Sequence, residues 1–161
     1  MGCKNENKGG KRKKMLKFRA WDKISKCMCD VDFMNLYDRY YIYKSFDKDK
    51  SVSGAADFDS KSMILMQSTR LCDKNGKEIF KGDIVKPVSF ARWVGYVEYS
   101  PAQMSFIINK HNNDCPRGSL IFLSQFARKV EIIGNIYENP EMMEKTRREK
   151  NELCKFNWKI N

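Results

Sequence analysis

Residues 71–85 contain two glycine turns, and these turns constrain the fold more than any other feature of the chain. The first turn is Asn75-Gly76, and Asn-Gly between apolar runs is the strongest local signal for a β-hairpin. The expected type I′ turn needs a positive φ at both central residues, which glycine adopts without strain. The second turn is Gly82-Asp83, and a β-branched run follows it. Two turns so close together predict a small β architecture with sharply bent strands.

Strand-like patterns also dominate the rest of the chain. Alternating or β-branched composition predicts strands at residues 15–21, 27–34, 36–43, 104–109, 120–123 and 129–137. In residues 90–99 the alternation places Trp93 and Val97 in the core, and Gly95 predicts a bulge or a sharp bend. We therefore predict a mainly β fold, a barrel or a meander.

The chain is predicted to divide into an N-terminal arm, a β domain and a C-terminal helical region. Residues 1–14 have almost no apolar side chains, so they cannot bury enough surface to offset their ordering entropy and are predicted to be a disordered arm. Residues 15–138 form the β domain, with a long mobile loop predicted in the polar stretch 44–62. Residues 139–161 form a C-terminal helix and tail, because Asn-Pro-Glu at the start of this segment caps a helix and complements its dipole.

The positive charge is concentrated at the N-terminus. The net charge is +11, and residues 1–19 hold eight lysines and arginines against one glutamate. Flexible cationic segments neutralise phosphates and release counterions, which favours nucleic acid as a partner. The alternative is a solvated tail that only aids solubility. The nucleic-acid-binding hypothesis rests on three groups of residues. The cations of the arm are Lys8, Lys11, Arg12, Lys13 and Lys14, and the two cations expected on the outward face of the first strand are Lys17 and Arg19. Arg92 and Tyr96 would form a basic-aromatic platform where bases stack.

Catalytic and metal-binding patterns are missing from the sequence. The six cysteines are irregularly spaced and His111 is the only histidine, so we predict free thiols in a reducing compartment and no metal site. There is no triad, paired carboxylate or phosphate loop, and we expect neither an enzyme nor a cofactor. No run approaches the roughly 20 apolar residues that span a bilayer, and no secretory signal is apparent. A cytoplasmic location without a membrane partner is expected.

Three segments resemble the YopX-like proteins of bacteriophages and prophages, and they occur in the order of that family. They are Lys17–Lys23, Met66–Val85 and Val130–Glu141. The resemblance implies an SH3-type β-barrel with N-terminal strands and a C-terminal α-helix, and an origin in a phage or mobile element. It brings no catalytic residues.

Two functions follow as expectations. The first is a phage- or prophage-encoded, non-enzymatic β-barrel accessory module in the bacterial host cell that binds nucleic acid or a nucleic-acid-handling complex. The alternative is a protein-protein inhibitor of a host enzyme, such as an anti-defence protein against a nuclease, which would act through the terminal helix or the long loop.

Overall fold

The architecture consists of two antiparallel sheets. The computed structural model describes residues 16–46, 52–89, 93–110 and 121–143, and this part of the chain contains eleven strands. The predicted mainly β fold is confirmed.

The first sheet has six strands in the order β4-β3-β2-β1-β5-β6. Strand β1 lies in the middle and pairs with both β2 and β5, so its second half is buried on both faces. The bounds are β1 Phe18–Asp22, β2 Cys27–Asn35, β3 Tyr40–Ser45, β4 Ser53–Asp57, β5 Met63–Cys72 and β6 Glu78–Phe80.

The second sheet has five strands in the order β10-β9-β8-β7-β11. The short helix α1, Leu123–Phe126, and a 3₁₀ turn, Ala127–Lys129, connect its two edge strands. The bounds are β7 Asp83–Pro87, β8 Gly95–Ser100, β9 Ser105–Lys110, β10 Ile121–Phe122 and β11 Val130–Asn135. The described strands do not pair into a closed barrel.

Two predictions on the first half of the chain are corrected. The stretch 44–62 is not a continuous loop, because it contains the end of β3 and all of β4. Gly54-Ala55-Ala56 has low strand propensity, so pairing with β3 determines its conformation. The predicted strand 36–43 begins only at Tyr40, since Asn35 Oδ1 accepts hydrogen bonds from the backbone N–H groups of the two residues that follow Leu36 and holds them in a turn.

Both glycine turns are present, but the first is not of type I′. Gly76 has φ +82° and Gly82 has φ +85°, whereas Asn75 does not have a positive φ. The Asp73 carboxylate organises the first turn, because its Oδ1 accepts from the N–H groups of Asn75 (2.8 Å) and Lys77 (2.9 Å). Hydrogen bonds to one oxygen of a side chain therefore hold this turn, in place of a second residue with a left-handed backbone.

The main core lies in the five-stranded sheet. Val97 is fully buried there and Trp93 packs against the cluster, as predicted. Gly95 is needed for a close approach rather than for a bulge, because an added Cβ would lie 2.8 Å from the carbonyl oxygen of Asn109. The cluster consists of Ile79, Val85, Val97, Ile108, Ile121, Leu123, Ala127 and Val130.

The cysteines differ in state. Cys27 and Cys29 are buried free thiols with their sulfurs 3.9 Å apart. Burial, together with the neighbouring Cys27, raises the pKa of Cys29 to about 12. Cys72 is disulfide-bonded, so the prediction that all thiols are free is wrong there.

The C-terminal helix begins as predicted. Residues 141–143 are helical, and the backbone N–H groups of Met142 and Met143 donate to the carbonyls of Asn139 and Pro140. The predicted continuation towards Cys154 lies outside the described residues.

Candidate ligand cleft and sheet joint

A buried polar cluster joins the two sheets. Asp83, at the start of β7, accepts hydrogen bonds from the guanidinium of Arg19 on β1, from the backbone N–H of Phe80 (2.9 Å) and from the Nδ2 of Asn135 on β11 (3.3 Å). All three polar side chains are buried. The carboxylate therefore has donors on several sides, which is the condition under which a buried charge is tolerated. We call Arg19, Asp83 and Asn135 the sheet joint.

The three members of the sheet joint come from the three segments that carry the family resemblance. Asp73 has a similar position, because its Oδ2 accepts from the backbone N–H of Ile132 (3.2 Å) in addition to the turn contacts described above. The contacts of Asp83 with Arg19 and Asn135, and that of Asp73 with Ile132, each join two of those segments across the fold. The motif residues in these contacts thus stabilise the architecture.

The joint corrects the prediction for Arg19. The alternation of β1 predicted an outward side chain, but Arg19 is only 8% exposed. The corner between β6 and β7 covers it, with the Phe80 ring centroid 4.6 Å from Cζ and Asp83 at its terminal nitrogen. Its Nε is buried and has no hydrogen-bond partner among the described residues. Arg19 is therefore not part of an exposed cationic stripe.

A cleft of about 520 Å³ lies beside the joint, within the size range of small-ligand sites. It is lined by three cations, three carboxylates, three large apolar side chains and one glycine: Lys17, Arg19 and Lys77; Asp30, Glu78 and Glu138; Met28, Phe46 and Phe80; Gly76.

An ion pair lies in the wall of the cleft. Lys17 Nζ lies 3.1 Å from Glu78 Oε2 and 5.7 Å from the ring centroid of Phe80. Ser68 Oγ donates to the other oxygen of Glu78 at 2.5 Å. Burial raises the pKa of Asp30, and the nearby Lys17 opposes that shift. The carboxylates of this inner region accept hydrogen bonds and repel phosphate, so they suit a neutral ligand group with N–H donors.

The outer part of the cleft carries an exposed aromatic ring. Phe46 is 53% exposed, and its backbone N–H donates to the carbonyl of Met28 on β2. A half-exposed ring beside cations is the arrangement on which nucleobases stack. Sequence reasoning missed Phe46, although an aromatic residue near the start of the polar stretch 44–62 was a usable signal.

Of the other predicted site residues, Tyr96 is the one that lies in the described part of the chain, and it does not line this cleft. Tyr96 lies on β8, and its hydroxyl accepts from Asn109 Nδ2 at 2.9 Å. Burial and the neighbouring Glu98 raise the pKa of Tyr96. The groups beside the Tyr96 hydroxyl, within the described part of the chain, are therefore a carboxylate and an amide. The remaining predicted residues lie outside the described residues: Lys8, Lys11, Arg12, Lys13, Lys14 and Arg92.

Across residues 16–46, 52–89, 93–110 and 121–143, no group of three histidine, cysteine or acidic side chains is arranged to hold a metal ion. Of the helices in the same ranges, none has the length and apolar character needed to cross a membrane.

Comparisons with known proteins support the segment-based resemblance. The family model described as YopX protein matches residues 17–144. The chain is similar to protein EF1440 from Enterococcus faecalis, with 27% identity, 80% of this chain and 98% of that chain covered, and a TM-score of 0.50. It is also similar to protein YopX from Bacillus subtilis, with 21% identity, 79% of this chain and 95% of that chain covered, and a TM-score of 0.50. This second likeness concerns the fold alone. No curated protein has a significant match.

Proposed function

This chain belongs to the YopX family, and we propose that it is a non-enzymatic binding module of phage or prophage origin that engages single-stranded nucleic acid. In this proposal the basic N-terminal arm neutralises phosphates, and the cleft beside the sheet joint receives a base. The two parts supply different interactions, one electrostatic and one by stacking and hydrogen bonding.

The place where the arm enters the fold carries the proposal. The described chain starts at Leu16, and Lys17 lines the cleft. Six lysines and arginines lie between residues 4 and 14. Since a residue spans at most about 3.6 Å of chain, Lys14 is held within about 11 Å of Lys17 by connectivity alone. The densest positive charge of the protein is thus tethered to the rim of the cleft.

The composition of the cleft supports a base rather than a phosphate as its occupant. Phe46 offers a stacking surface, while Asp30 and Glu78 accept hydrogen bonds from exocyclic amino groups. The same carboxylates would repel a phosphate bound deep in the cleft. Phosphates therefore belong to the arm, outside the cleft.

Binding of a labelled single-stranded oligonucleotide, measured by fluorescence anisotropy across a salt series, tests the proposal. Six arm cations in contact with phosphates give a log–log salt slope of about −4 on a single strand and about −5 on a duplex. Deletion of residues 1–14 should flatten that slope. Phe46→Ala should weaken binding by about 1–3 kcal/mol and leave the slope unchanged, because stacking releases no counterions.

Tyr37→Ala is the matched control, since Tyr37 is an exposed aromatic on the β2–β3 turn and does not line the cleft. Polyanion binding that survives the deletion unchanged contradicts the proposal. A host protein that co-purifies in stoichiometric amount after nuclease treatment, with no oligonucleotide binding, would instead indicate the inhibitor of a host enzyme.

We also infer that the five-stranded sheet is an SH3-type barrel. Its support is the strand order, in which the last strand lies beside the first and a 3₁₀ turn precedes it. The edge strands β10 and β11 both contribute to one core, through Ile121 and Val130. A sheet whose two edges share a core is strongly curved.

A further inference from the structure

Strand β4 is an edge of the six-stranded sheet, and among the described strands only β3 pairs with it. The backbone N–H of Ser45 donates to the carbonyl of Val52 (2.7 Å), and that of Phe58 donates to the carbonyl of Arg39 (2.9 Å). Because hydrogen-bonded residues alternate along an antiparallel pair, Gly54 and Ala56 also direct their backbone groups to β3.

The intervening residues of β4, Ser53, Ala55 and Asp57, direct three N–H and three C=O groups away from the sheet. No described strand pairs with them, and among the described backbone groups only the N–H of Ser60 contacts one of them, the carbonyl of Asp57 (3.0 Å). Natural edge strands are usually protected by lysine, proline or a bulge. Strand β4 has the sequence Ser-Gly-Ala-Ala-Asp and its pairing with β3 contains no bulge.

An apolar row leads across the sheet to the centre of this edge. Phe33 on β2 lies opposite Ile42 on β3, which lies opposite Ala55 on β4. Directly opposed residues point to the same face, and Phe33 and Ile42 are 49% and 42% exposed. The row is therefore solvent-exposed up to the edge.

Two charged residues flank the apolar row on the same face. Lys44 lies opposite Ser53, and Asp57 lies opposite Tyr40. Both Lys44 and Asp57 are exposed, and neither forms an ion pair within the described residues.

We propose that β4 pairs with β4 of a second copy of this chain, antiparallel and about a twofold axis at Ala55. In this register Ala55 faces Ala55 of the second copy, and Ser53 faces Asp57 of the second copy. Six intermolecular hydrogen bonds then form, in which the Asp57 carbonyl, which already accepts from Ser60, uses its second lone pair. The interface is isologous and closes after two copies, as a twofold axis requires.

The side chains match in this register. The apolar row continues through the axis into the same row of the second copy. On either side, the order across the sheet is Lys44, Ser53, and Asp57 of the second copy. With strands about 4.8 Å apart, that aspartate Cα lies about 10 Å from the Lys44 Cα across a small serine, within reach of an ion pair that occurs twice by symmetry. This self-complementarity favours a second copy over an unrelated extended peptide, which would not need both the lysine and the aspartate.

Sedimentation velocity of the full chain in reducing buffer, over a series of protein concentrations, tests the proposal. The reductant removes dimers linked by disulfides. A reversible dimer is expected, and its affinity should be modest because a single edge pairing buries less than about 1,200 Å². Ala55→Pro should abolish it, because the proline removes the central intermolecular donor while every hydrogen bond to β3 remains. A chain that stays monomeric throughout the series overturns the proposal.

Charge exchange tests the register independently of folding. Asp57→Lys places one lysine against Lys44 in each half of the interface and should weaken dimerisation at least tenfold. Adding Lys44→Glu restores the opposite signs and should restore the dimer. The control is Asp32→Lys, which makes the same charge change on β2 of the same sheet and should leave dimerisation unaltered. A dimer that persists in both Ala55→Pro and Asp57→Lys, or fails to return in the double variant, overturns the β4 register.

Discussion

The five-stranded sheet and the β2–β4 half of the six-stranded sheet have very different interiors. The first, together with Ile79 of β6, encloses eight buried apolar residues in one cluster. The second contributes only Tyr41 to a cluster of three that Ala20 of β1 and Met63 of β5 complete, with partly buried apolar side chains around it. On its other face Phe33 and Ile42 remain exposed. One region thus buries its apolar surface internally, and the other leaves apolar surface available to a partner.

The sheet joint lies where the two regions meet. The three motif segments of the family supply the joint and much of the five-stranded sheet, whereas β3 and β4 lie between the first and second of these segments. The division between a stabilising region and a binding region can therefore be tested by comparing matched substitutions.

The largest expected effect is at the joint. Asp83→Asn leaves the buried Arg19 without a counter-charge and should lower the free energy of unfolding by about 3–5 kcal/mol. Asp59→Asn is the matched control, because Asp59 pairs with Arg39 on the surface and its loss should cost at most about 1 kcal/mol. Urea unfolding measures both, and equal costs would contradict the structural role of the joint.

The second largest difference is expected when an apolar side chain is truncated in each of the two regions. Leu123→Ala opens a cavity in the cluster of the five-stranded sheet and should cost about 2–5 kcal/mol. Ile42→Ala removes an exposed side chain. It should lower the free energy of unfolding by no more than about 0.5 kcal/mol at protein concentrations where the chain is monomeric. A large cost at Ile42 in the monomer would mean that this face is covered within the chain itself.

Two glycines distinguish close packing from backbone conformation. Gly95→Ala places a Cβ 2.7 Å from Ile108 Cγ2 and 2.8 Å from a backbone oxygen, so it should cost about 1–3 kcal/mol. Gly76→Ala has open space around it but needs φ +82°, and it should cost about 1 kcal/mol. Thermal unfolding of both variants compares them, and a larger loss at Gly76 would contradict the close approach at Gly95.

Local alternation predicted the elements whose neighbours are close in sequence. It placed Trp93 and Val97 in the core. These assignments depend only on the two faces of a strand, which a period of two determines.

Features that depend on distant segments could not be predicted in this way. Arg19 alternates like an exposed residue and is buried because a corner more than 60 residues later covers it. Strand β4 has weak propensity and exists because β3 pairs with it. The cleft likewise combines side chains from β1, β2, β6 and the residues after β11. Single-sequence patterns contain no information on such encounters.

The smallest expected effect concerns alkaline pH and is confined to the interior of the six-stranded sheet. The pKa of Cys29 is raised from 9.0 to about 12, and burial raises that of Tyr41 from 10.0 to about 12. In both cases the folded state keeps a proton that the unfolded state releases, so their contribution is complete below the unfolded pKa and is lost as the pH rises towards 12. In reducing buffer, Cys29→Ala should therefore make the fall in unfolding free energy less steep from about pH 9 upward, and Tyr41→Phe only from about pH 10 upward. Identical pH profiles for the wild type and both variants would show that these groups titrate alike in the folded and unfolded chains, and that this interior is open to water.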